Sequence, residues 1–301
     1  MAFIDDIKRN YLQGSMLLRL IFINIGVFLL LHLVAIGAML FNAGSDPLRW
    51  VELPSDLMTL FRRPWTLVTY MFSHYGLFHI LFNMLWLYWL GRIFMEYFSP
   101  KQLTGVYLLG GWGGALLFLL TYNLLPHFVG SHAFLIGASA SVIAVVVAAA
   151  VYAPDYKIGL LFIGEVSLKW VAIVTVLIAV LGLDGGDIGG NMAHIGGAIV
   201  GAVFALRIKR GHDITRPLNS LIDGVVGLFN GRSLPKFKFP QRSAHTTRPQ
   251  QNPPTKVNRP TDTISESELD TILGKIKTSG YDALTDEEKD KLFKASRRRE
   301  P

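Results

Sequence analysis

Six apolar segments dominate this chain: Met16–Leu40, Gly76–Phe98, Leu103–Leu124, Ala138–Ala153, Leu168–Leu183 and Gly190–Ile208. Crossing a bilayer core takes about 20 apolar residues in a helix. The segments therefore predict an all-α polytopic membrane bundle of six spans within residues 16–210, the fourth and fifth being short. The first segment is longer than the roughly 7–15 apolar residues of a signal-peptide core, so it is expected to be retained. A long loop, Phe41–Tyr75, follows it; Trp50 and Trp65 suit the membrane interface there.

Charge divides the chain. Nineteen of its 29 Lys and Arg residues follow Leu206, which sets an integral membrane part against a polar tail. A formal charge of +7 could suit nucleic acid, but no helix-turn-helix, zinc or RNP pattern accompanies it. Without cysteine there is no disulfide framework, Cys–zinc site or Cys nucleophile. Lys and Arg near the span ends place both termini in the cytoplasm, with Arg49, Arg62 and Arg63 of the long loop dissenting. The expected organisation is a cytoplasmic N-terminus (1–15), the six-helix domain (16–210), a surface helix and disordered linker (211–262), and a small helical tail (263–301). Two capping boxes, Ser265 with Glu268 and Thr285 with Glu288, mark helix starts in that tail.

With the N-terminus inside, the second, fourth and sixth spans all begin in the outer leaflet. Their first turns hold His79 and Asn83, Ser139 and Ser141, and Asn191 and His194. Six polar side chains would meet at one depth. Pro154 should stop the fourth helix. The 15 residues from Ser139 to Ala153 span roughly 22 Å against a core of about 30 Å, which sinks Ser139 below the surface. Polar groups there are costly unless partnered or wet, so a water-filled cavity open to the outside is expected. Gly137 supplies backbone freedom for the entry turn. The spacing of Gly197 and Gly201 permits close helix approach, which a contact between a short serine and His194 needs. Ser141 is an alternative nucleophile, but it lies about 200° around the helix from Ser139, so only one of them can face His194. The Gly-x-Ser frame favours Ser139. Glu96 is expected to pair with Arg92 at i–4.

The pieces "HILFN", "GASA" and "AHIGG", in that order on alternate spans, together resemble a rhomboid intramembrane serine protease. "PWTLVTYMFSH" and "LGRIFMEYFSP" add to the resemblance, which runs from about Leu17 to Lys209. It implies Ser139 as nucleophile and His194 as general base. His79, Asn83 and the Ser139 N–H would form the oxyanion hole. Gly137, His74, Asn191 and Gly197 would support them, His74 by holding the loop. It also implies a peptidase acting near the outer end of single-span substrates; no cofactor is expected, and no His-Glu-x-x-His or other close ligand spacing points to zinc. Ala140, Ile143 and Thr66 depart from the family pattern; in particular Ile143 stands where many relatives rest the histidine on an aromatic ring. No acid lies in the outer half of a span, so a dyad is expected, with Asp184 and Asp187 as exposed loop candidates for a third group.

The expected partners are transmembrane proteins, membrane lipids and a cytoplasmic partner for the tail. The expected location is a bacterial plasma membrane. Two other functions compete: an inactive relative that binds membrane proteins, and a small transporter. Inactive relatives typically lack the serine or the histidine, and both are kept here. Transporters favour repeats and charged midplane residues, and neither is visible.

Overall fold

The computed structural model describes residues 15–42, 44, 46–160, 164–229, 268, 271–272, 274–276 and 284–297. The chain forms two compact units, 1–237 and 238–301. The N-terminal 14 residues, most of the expected linker and Ser265 of the first tail capping box lie outside the described residues.

In the first unit, α1 (Met16–Leu40) leads into the long loop, which carries β1 (Leu53–Pro54), α2 (Leu57–Arg62) and α3 (Thr66–Thr69). Then come α4 (Leu77–Tyr97), α5 (Pro100–Leu124), β2 (Phe134–Leu135) and α6 (Ser139–Tyr152). A hairpin of β3 (Lys157–Leu160) and β4 (Gly164–Ser167) precedes α7 (Leu168–Leu181), α8 (Ile188–Lys209) and α9 (Arg216–Phe229). The main helices end within three residues of the expected segments. Among the described residues, α1, α4, α5 and α8 are long and apolar enough to cross a membrane. The chain is a helical, multi-pass membrane protein.

Helix α6 is the hub. Every residue from Ala140 to Ala150 is buried, because Ala, Val and Ser side chains are small enough for helices to close around it. Its 14 residues give roughly 21 Å of helix. Glycines set the approach. A Cβ on Gly201 would collide with the Ala144 carbonyl, and one on Gly114 would come within 2.6 Å of the Ala140 Cβ. By contrast, α1 and α7 leave Leu30, Leu33 and Ile178 more than 60% exposed. Apolar side chains presented in that density suit lipid.

Two of the three loop arginines that dissent from the charge rule, Arg49 and Arg63, have local partners. Arg49 lies 3.5 Å from Glu52 and stacks on Phe134 at 4.4 Å. Arg63 stacks on Trp50 at 4.3 Å and donates to the Arg49 carbonyl at 3.0 Å. The expected Arg92–Glu96 pair does not form. The Tyr156 hydroxyl donates to Glu96 at 3.2 Å, and Arg92 lies over the Tyr88 ring.

Helix α9 docks at the start of α5. Lys101 meets Asp223 at 2.6 Å, Gln102 donates to Asp213 at 3.0 Å, and Thr215 fills the space over Gly105. In the second unit, α10 (Asp286–Arg297) begins at the Thr285–Glu288 capping box, with both reciprocal bonds made at 2.8 and 3.3 Å.

Candidate active site

Ser139 opens α6. Gly137, two residues earlier, has φ +126 and lies so near His79 that a Cβ would come 2.7 Å from Nε2. Only glycine fits both the conformation and the space. Two further contacts fix this turn. The Gly137 N–H donates to the Tyr70 carbonyl at 2.9 Å, and the Ala138 N–H points at His74 Nε2 at 3.4 Å.

His194 stands two turns into α8, and its Nε2 is 2.8 Å from Ser139 Oγ. The approach depends on Gly197, where any Cβ would collide with the Ala140 carbonyl. Asp187 caps this helix, accepting from the Gly190 N–H at 2.9 Å. Among the described residues no aromatic ring packs on His194. Ile143 instead lines an apolar cavity of about 390 Å³ between α4 and α7, with Phe78, Phe82, Trp86 and Thr175.

His79 and Asn83 share one face of α4, and Asn83 Nδ2 donates to the His79 carbonyl at 2.9 Å. Both also line a more polar cavity of about 440 Å³ with Ser139 and His194. His74 sits behind His79, ring edge to ring face at 5.0 Å. It is fully buried, and Nδ1 has no hydrogen-bond partner at ordinary geometry; the Phe72 backbone approaches it only loosely. Burial foremost, and then His79, push the pKa of His74 down to about 3.

Two of the six polar residues turn elsewhere. Ser141 is buried, with Oγ 4.0 Å from Met71 Sδ, away from His194. Asn191 donates to the Gly182 and Asp187 carbonyls, both at 2.8 Å, and ties the α7–α8 connection together. A shared depth does not fix the direction in which a side chain points. The polar cavity also takes Tyr75 and Phe134–Ile136, which the sequence did not place there, and Asp187, one of the two loop candidates for a third group. Asp187 stands just before α8 as its N-cap, seven residues ahead of His194. Burial foremost and then Glu52 push the Tyr75 phenol up.

The arrangement offers a hydroxyl against an imidazole at the starts of two abutting helices, with amide and ring N–H donors beside them. The Rhomboid domain family matches residues 62–210, which contain all of these groups. The chain carries a rhomboid domain. Rhomboid domains belong to an intramembrane protease family. The chain is also 32% identical over 158 residues to the RHOMBOID-like protein 12, mitochondrial, of Arabidopsis thaliana, covering 48% of this chain and 47% of that one. The chain thus spans about half the length of the curated relative it matches.

Proposed function

We propose that this rhomboid protein is an intramembrane serine endopeptidase with Ser139 as nucleophile and His194 as its base. The observation that carries the proposal is the 2.8 Å contact between Ser139 Oγ and His194 Nε2. A serine hydroxyl needs such a base to attack at neutral pH. Oγ adds to the scissile carbonyl carbon while its proton passes to His194 Nε2. The carbonyl π electrons move onto oxygen. Donors for that oxyanion are the Ser139 N–H, in a first helical turn where such groups lack intrahelical partners, the Asn83 amide and the His79 ring. Collapse breaks the C–N bond, and His194 gives its proton to the departing amine. Water from the polar cavity then attacks the acyl-Ser139 ester with His194 again taking a proton. Collapse breaks the bond between the acyl carbon and Oγ, His194 returns its proton to Oγ, and a carboxylic acid leaves with Ser139 restored.

The substrates proposed are single-span membrane proteins cut near their outer ends, because the pair sits at the helix starts. Six spans with both termini in the cytoplasm fit the Lys and Arg distribution, and α6 and α7 would be the short members. The membrane proposed is a bacterial plasma membrane. The relative's name assigns that protein to mitochondria, so reporter fusions and fractionation in the native cell are the check.

The activity itself is tested with purified protein and a single-span test substrate. Wild type should cleave it and label with a fluorophosphonate, while Ser139→Ala and His194→Ala should do neither. Cleavage by Ser139→Ala would overturn the assignment. No cleavage and no labelling by wild type would favour a binding role instead.

A further inference from the structure

Asp187 is the one residue with a side-chain carboxylate that lines the polar cavity. Tyr75, His79, Ser139 and His194 line the same cavity. Its field reaches His79, His194 and Tyr75. Capping engages Oδ1 with the Gly190 N–H, and a carboxylate keeps further lone pairs free. Among the described residues no Lys or Arg forms an ion pair with Asp187. Arg49 stacks on Phe134, which also lines the cavity, but Glu52 already accompanies it at 3.5 Å. Apart from its capping bond at the start of α8, the one carboxylate of the cavity has no ion-pair partner among the described residues, and that bond holds it beside Ser139 and His194.

We propose that Asp187 forms an anionic subsite that selects substrates carrying a Lys or Arg side chain beside the scissile bond. The subsite rests on the protease assignment for its role in cleavage, but not for its existence as a binding feature. A basic side chain entering the cavity meets an acceptor that needs no rearrangement. An acidic side chain meets a like charge, and the cavity wall offers it no arginine. Asp187 is exposed, so solvent weakens the attraction; a preference of about three- to tenfold for Lys over Glu is the expected size.

The test separates binding from chemistry. On the Ser139→Ala background, affinity is measured for single-span substrates with Lys, Gln or Glu at each position flanking the bond. Asp187 should favour Lys over Glu about three- to tenfold at one position or more. Asp187→Asn, whose amide oxygen still caps α8, should bring that ratio near one. Asp187→Lys should invert it, and Asp187→Glu should keep it. The same Lys-to-Glu ratio in kcat/KM is then read on enzymes that retain Ser139. A binding ratio identical in the Asp187 parent and all three variants would overturn the subsite, whatever the catalytic result. A ratio that follows Asp187 in binding while wild type cleaves nothing would uphold the subsite and overturn the protease assignment instead.

Discussion

The carbonyl of Ala140 occupies the place where a side chain on Gly197 would stand. One position beyond Ser139 and three beyond His194, helices α6 and α8 touch backbone to backbone. Gly201 repeats the contact one turn later against Ala144. The distance between hydroxyl and imidazole is thus set by glycines that carry no chemistry. Gly197→Ala must push the helices apart, because backbone atoms cannot swing aside. The expected outcome is a loss of roughly 1–3 kcal/mol in stability and at least a tenfold fall in kcat, with KM changed less. Gly37→Ala on α1, where nothing lies within 4 Å, serves as the control. Thermal unfolding in detergent and cleavage kinetics read both effects. Full activity in Gly197→Ala would show that the approach has slack.

Ser141 provides a contrast within one helix. Its Oγ faces Met71 rather than His194, so Ser141→Ala should cleave within about twofold of wild type and label normally with fluorophosphonate. Ser139→Ala should do neither. The two substitutions remove the same atom from positions two residues apart, which makes unfolding a poor explanation for a difference between them. Equal losses in both would refute the assignment of the nucleophile.

The sequence was most informative where chemistry punctuates the backbone. Pro154 ends α6 by Tyr152, and Gly137 marks the turn before Ser139. The start of α5 was less legible. Ser99, Pro100, Lys101 and Gln102 look like a polar loop, but they form a capping box with proline in the first turn, so the helix begins three residues before its apolar run. The β1–β2 ladder pairs Leu53 with Leu135 and Pro54 with Phe134. Two residues per strand leave no periodicity to detect. Depth in the membrane could be inferred from span direction, but azimuth could not. That is why Ser141 and Asn191 were grouped with residues they do not face. The Arg92–Glu96 expectation failed because Tyr156, distant in sequence, reaches Glu96.

Asn83 tests the oxyanion donors. Its Nδ2 rests on the His79 carbonyl at 2.9 Å while the side chain borders the cavity. Asn83→Ala should lower kcat about 10²–10³-fold with little change in substrate affinity, since the donor matters only when charge develops. Asn83→Asp keeps the shape but removes the donor, and it should be no better. A purely structural role would move stability and KM first, with kcat following in proportion to the folded fraction. Unfolding midpoints measured beside the kinetics distinguish the two.

His74 makes a prediction about acid. It lies in the loop before α4, is buried, and has its pKa pushed from 6.5 to about 3, by burial first and then by His79. In the folded protein it stays neutral where the unfolded chain would bind a proton. The folded pKa is the lower one, so stability from this group is complete above pH 6.5 and is lost as pH falls through the window from 6.5 toward 3. One proton corresponds to roughly 1.4 kcal/mol per pH unit at the steepest. Between about pH 6.5 and pH 5, most carboxylates have not yet titrated, so the unfolding midpoint of wild type should fall measurably there. His74→Gln offers an oxygen to the Ala138 N–H but cannot take up a proton. Its midpoint should be lower at pH 7 and flatter over the same window, so that the two curves converge on acidification. Parallel curves would show that His74 is not the group that acid reaches.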